Sequence, residues 1–176
     1  GGIGYGSLLG EFYSGFDSGP FYFGEIRLAV SAKTYLKFGY RSMQIYEGTQ
    51  ALIDTEGTDL GTMDLSVFIR TYTLSVGWLS KPNQKNNLRV YGEIGGGYAD
   101  HVITADFGSE SISDGEGKFM ILSQIGVLIP FSNGPVGVDV GGSIMLKSLL
   151  GPQNEGVGAV LGGHVGLVIM IGGARD

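Results

Sequence analysis

"VGVDVGGSIMLKSLL", residues 136–150, carries apolar side chains at Val136, Val138, Val140, Ile144 and Leu146, with Gly137, Asp139, Gly141, Ser143 and Lys147 between them. Alternation with a period of two marks a β-strand with two unlike faces. In a soluble antiparallel sheet the apolar face turns to a core and the polar face to water. Which of these faces meets solvent decides the fold, and the rest of the chain must answer.

Composition narrows the choice. The 176 residues include 33 glycines, and only 16% are charged, against usual shares of ~7% and ~25%. No composition shift or polar linker divides the chain, so one domain over residues 1–176 is expected. The 43% hydrophobic and 11% aromatic content is too rich for disorder. No run of ~18 apolar residues suits a helical membrane span. With no cysteine and two separated histidines, disulfides and thiolate or His-rich metal sites are not expected, nor is any cofactor. A net charge of -6 argues against nucleic acid as a partner.

Period-two alternation recurs between turn signals, which predicts about eight strands near residues 2–13, 20–31, 34–46, 62–80, 88–104, 117–131, 136–149 and 157–172. The second sets Tyr22, Ile26, Leu28 and Val30 against Glu25 and Arg27; the third sets Leu36, Phe38 and Tyr40 against Lys37 and Arg41. The fifth opposes Val90, Ile94 and Tyr98 to Arg89, Glu93 and His101, and the last opposes Leu161, Val165, Leu167 and Ile169 to His164. Strand four places Asp64, Ser66 and Arg70 opposite its apolar row, then changes phase before Leu74, Val76 and Trp78, which predicts a β-bulge near Arg70–Tyr72. The links alternate in length. Those after strands two, four and six are short, whereas "EGTQALIDTEGTDLG" and "ADFGSESISDGEG" are long, as an up-and-down meander trimmed at one end requires.

With the apolar rows inside, the charges would coat the exterior of a soluble, lipocalin-like barrel. Yet the polar rows are mostly glycine and small residues with one to three charges per strand, which suits a narrow interior. About eight strands leave a lumen just wide enough for side chains to fill. Turning the apolar rows to lipid then explains the remainder, because a closed barrel is the only sheet that satisfies its backbone in hydrocarbon. The expected fold is an all-β, antiparallel, up-and-down transmembrane β-barrel of about eight strands. Tyr13, Phe21, Tyr40, Tyr46, Trp78, Tyr98, Phe119 and Phe131 are expected to form aromatic girdles at its interfaces.

In "YLKFGYR" (35–41) and "VYGEIGGGYADH" (90–101) the chain resembles the small outer-membrane β-barrels of Gram-negative bacteria, the group of the OmpA membrane domain, OmpX and OmpW. The resemblance implies an exported chain without its signal peptide, located in the bacterial outer membrane among lipid and lipopolysaccharide. That family usually closes on an aromatic residue, whereas this sequence ends "VIMIGGARD". A differently completed last strand, a longer native chain or partner-dependent insertion would each accommodate the departure.

The polar rows supply Glu25, Arg27, Lys37, Arg41, Asp64, Arg70, Arg89, Glu93, Asp139 and Lys147, expected to pair across neighbouring strands and plug the lumen. The alternative is that they line a narrow channel for ions or small solutes. Asp54, Glu56, Asp59, Asp106, Glu110, Asp114 and Glu116 make the long loops acidic, suited to solvent, to a cationic envelope partner, or to divalent ions held by lipopolysaccharide. No metal-binding spacing closes on them. Asp100 and His101, with Ser109, Ser111 or Ser123, do not form an acyl-transfer set, because adjacent strand residues point to opposite faces. His164 is expected to be a hydrogen-bonding lumen residue. A non-enzymatic structural or interaction role is therefore expected.

Overall fold

The strand that opens the sequence reading, Val136–Lys147, lies between two antiparallel neighbours in a sheet that closes on itself. The computed structural model describes residues 1–10, 16–53, 59–83, 87–107, 110–131, 136–147 and 158–171. Eight strands follow one another around the barrel: β1 (Gly2–Leu9), β2 (Gly19–Ala29), β3 (Thr34–Ile53), β4 (Asp59–Leu79), β5 (Arg89–Phe107), β6 (Glu110–Pro130), β7 (Val136–Lys147) and β8 (Gly158–Ile171). Closure comes from β1 against β8, with Ile3 opposite Val165, and a short parallel contact joins β2 to β8 at Arg27 and Met170.

The apolar rows face outward. Ile169 is 60% exposed and Ile144 and Val165 are also exposed, while Val138 is half-buried; Arg27 and Asp139, on the opposite rows, are each 1% exposed. No stable water-soluble sheet leaves this many large apolar side chains outside while burying its charges. In hydrocarbon the same arrangement is the favourable one, so the inversion identifies a transmembrane barrel. Of the residues expected in the aromatic girdle, Tyr40, Trp78, Tyr98, Phe119 and Phe131 face outward. Phe21 and Tyr46 depart from it, packing inward against the lumen core, and Tyr13 lies outside the described residues.

Two further expectations need correction. Strand β4 keeps one phase from Val67 to Leu79: Val67, Ile69, Thr71 and Ser75 are all buried, so the lumen row simply becomes apolar higher up. The register shifts of the β3–β4 pairing fall instead between Gln44 and Tyr46 and between Leu52 and Ile53. Asp64 and Arg70 therefore sit on the outward row rather than in the lumen. The long links also shrink, because β3 and β4 stay paired up to Ile53 and Asp59, and β5 and β6 up to Phe107 and Glu110. Beyond the membrane both faces of a hairpin meet water, so polar residues such as Ser111 and Ser113 extend the strands without the alternation that marks a half-buried sheet.

Candidate functional site in the lumen

Every second residue of each strand points to the barrel axis, and the middle of the barrel gathers the charged ones. Strand β2 contributes Glu25 and Arg27, β3 Lys37, β5 Glu93, β6 Gln124, β7 Asp139 and β8 His164. Arg27 forms ion pairs with Asp139, with Glu25 at 2.5 Å and with Glu93 at 3.8 Å. Lys37 pairs with Glu93 and with Glu25 at 3.5 Å, and donates to Gln124 Oε1 at 3.0 Å. The expected pairing between neighbouring strands holds for Lys37 and Glu25, on β3 and β2, while other pairs reach across the lumen: Asp139 finds Arg27, on β2, and Glu93 finds Lys37, on β3. Barrel closure brings β2 and β7 within side-chain reach, a proximity that no linear spacing encodes.

Two tyrosines complete the cluster. Tyr35 donates its hydroxyl hydrogen to Glu93 Oε1 at 2.7 Å, and Tyr91 donates to Asp139 Oδ1 at 2.8 Å. Their rings lie 5.4 and 4.7 Å from the Arg27 guanidinium carbon. Among the described residues Arg27 Nε and Nη1 have no hydrogen-bond partner, so cation–π contact with these faces compensates part of their burial. Gln124 Nε2 donates to the Tyr91 hydroxyl at 2.9 Å, and His164 Nε2 lies 3.3 Å from that hydroxyl and 3.7 Å from Asp139. Buried charges persist only when paired and hydrogen-bonded in this manner.

Arg41 is buried one layer higher. It donates to Ser143 Oγ at 3.1 Å and lies over the Phe21 ring at 4.1 Å. Arg89 is half-buried on the lumen row nearer the short turns, and the side chain of Lys147 lies outside the described residues. Of the acidic set, Asp106 is exposed on β5; Asp59, Glu110, Asp114 and Glu116 fall on strands, their side chains outside the description, as are Asp54 and Glu56 altogether.

Apolar layers bracket the charged belt. Toward the long hairpins lie Met43, Ile45, Val67, Ile69, Met120 and Met145; toward the short turns lie Leu79, Leu128 and Val168. A lumen cavity beside Glu25, Lys37, Arg41 and Thr73 has a volume near 20 Å³. A space of that size holds about one water molecule.

Similar arrangements of strands occur in solved structures. Neisserial surface protein A superposes with a TM-score of 0.60 at 11% identity over 95% of this chain and 92% of that one. The fold is that of the eight-stranded outer-membrane β-barrels. Ail of Yersinia pestis, solved with the heparin analogue sucrose octasulfate, gives a TM-score of 0.48 at 10% identity over 94% of this chain and 93% of that one. The N-terminal β-barrel domain of Pseudomonas aeruginosa OprF gives 0.43 at 15% identity over 94% and 95%. No family model and no curated protein sequence matches this chain.

Proposed function

We propose that this barrel is a non-enzymatic protein of the bacterial outer membrane, with a plugged lumen and a structural or interaction role. The observation that carries this reading is the inversion of the wall, apolar outside and charged within. The plug rests on the buried cations Arg27, Lys37 and Arg41 set among the carboxylates Glu25, Glu93 and Asp139, closed above and below by apolar layers. The end bearing the long β3–β4 and β5–β6 hairpins faces the exterior. Its acidic residues, Asp106 among them, meet a cationic envelope partner or the divalent ions that accompany lipopolysaccharide.

Purified protein reconstituted in planar bilayers tests the plug. Wild type is expected to show no steady conductance. A large, reproducible conductance that changes with Glu93→Ala would establish a narrow channel instead. Recovery of the full-length exported protein from a fraction other than the outer membrane would end the localisation.

A further inference from the structure

The wall made by β4, β5 and β6 carries two features that the plug leaves unused. The first is Arg70. Alternation with buried Ile69 and Thr71 places it on the outward row, where it is the only Lys or Arg on the lipid-facing row of a strand among the described residues. Its rung partners are Ser42 and Asp100, and it forms no ion pair with Asp100. A membrane strand needs ~9–11 residues to cross, and counting from Leu79, at the short-turn end of β4, Arg70 is the tenth. Just below it the Tyr40–Tyr72 and Tyr98–Phe119 ring pairs, with centroids 5.3 and 6.3 Å apart, mark an interfacial belt. The guanidinium therefore stands at headgroup level, at the hairpin end.

The second feature is an apolar groove of about 480 Å³ in the same wall, bounded by Leu74, Phe119 and Ile121 and, on the adjoining β7, by Leu146. Its floor is Gly96, the rung partner of both Leu74 and Ile121. A Cβ added at Gly96 would approach only the Met120 carbonyl oxygen, at 3.4 Å. Leu74 lies four residues below Arg70 along β4, a rise of roughly 13 Å, so one molecule with an anionic head and a hydrocarbon tail spans both features.

The geometry points to a lipid site on this wall, in which Arg70 binds a phosphate of the outer-leaflet glycolipid, lipid A, and one acyl chain lies in the Gly96 groove. Charge complementarity selects the head, and the groove's depth below the belt selects the tail. The site rests on the membrane reading and on the hairpins facing outward.

The test is native mass spectrometry of the refolded barrel, released from nanodiscs of phosphatidylcholine doped with either lipid A or phosphatidylglycerol. Wild type is expected to retain one lipid A in preference to phosphatidylglycerol. Loss of a single interfacial cation weakens anionic-lipid binding by about five-fold, so Arg70→Gln should lower retention by that factor, and Gly96→Leu should do so by filling the groove. Gly92→Leu, on the same outward row with open space around its Cβ, should retain lipid A as wild type does. Equal retention by wild type, Arg70→Gln and Gly96→Leu, or no preference for lipid A, would overturn the site while the barrel still enters the discs. A wild-type chain that enters no disc would overturn the membrane reading as well.

Discussion

Adjacent residues on β7 occupy opposite worlds: Asp139 is 1% exposed amid charged partners, and Val140, the next residue, is 45% exposed to the outside of the barrel. The outward side asks only for apolar character, because lipid has no fixed shape to match. The inward side asks for specific partners at specific distances. Tolerance to substitution should therefore alternate along β7 with a period of two, and the four consecutive positions 139–142 offer a direct way to break that expectation.

The largest effect is expected at Asp139. Replacement by alanine removes the carboxylate that pairs with Arg27 and accepts from Tyr91 and leaves the guanidinium short of a counter-charge. Breaking a buried ion pair on one side costs about 3–5 kcal/mol. Urea titration in lipid vesicles, read as heat-modifiable migration on a gel, measures the loss. A harmless Asp139→Ala would mean that the belt is solvated and the lumen open.

Val140→Arg tests the other face. Near the midplane a lipid-facing arginine costs about 2–4 kcal/mol, and less toward the interfaces. The same titration should show it. Wild-type stability of this variant in lipid, with Asp139→Ala also neutral, would reverse the sidedness and favour a soluble barrel.

How much of this contrast was legible beforehand depended on the face. Outward rows such as Ile26–Leu28, Leu36–Phe38–Tyr40 and Val165–Leu167–Ile169 declared themselves by period, because lipid imposes one requirement on all of them. The charged lumen residues Glu25, Arg27, Lys37, Glu93 and Asp139 were legible as the opposing row, but their partners were not, since contacts across the lumen depend on closure. Val67 and Ile69 misled because an apolar lumen layer and a lipid-facing row look alike in sequence; hence the misplaced bulge and the wrong side for Asp64 and Arg70. Tyr35 and Tyr91 carry no charge to mark them as members of the belt, although each stands two residues before a buried charge, Lys37 and Glu93, and so shares its face.

A smaller effect is expected at Gly141, which faces inward. A Cβ there would come within 2.6 Å of the Tyr91 hydroxyl oxygen and 2.7 Å of His164 Cε1. Forcing extra volume into a filled interior costs about 1–3 kcal/mol. Gly141→Ala should lower the urea midpoint accordingly, and no change would show that the Tyr91–His164 contact yields freely.

Gly142→Ala should have the smallest effect of the four. It sits on the outward row, opposite Gly163 on β8 and Ile125 on β6, and an added Cβ would meet only the Gly162 carbonyl oxygen at 3.6 Å, an ordinary contact. Its backbone has no positive φ that an alanine would strain. The methyl group would project toward acyl chains, where an apolar atom is welcome, and alanine also removes some conformational freedom from the unfolded chain, a gain of about 0.4–1 kcal/mol where the geometry is compatible. The expected result is a midpoint equal to or slightly above wild type, measured beside Gly141→Ala under identical conditions. If Gly142→Ala were instead the more damaging of the two, close approach of another surface to the β7–β8 wall would be required, and that face could no longer be treated as plain lipid contact.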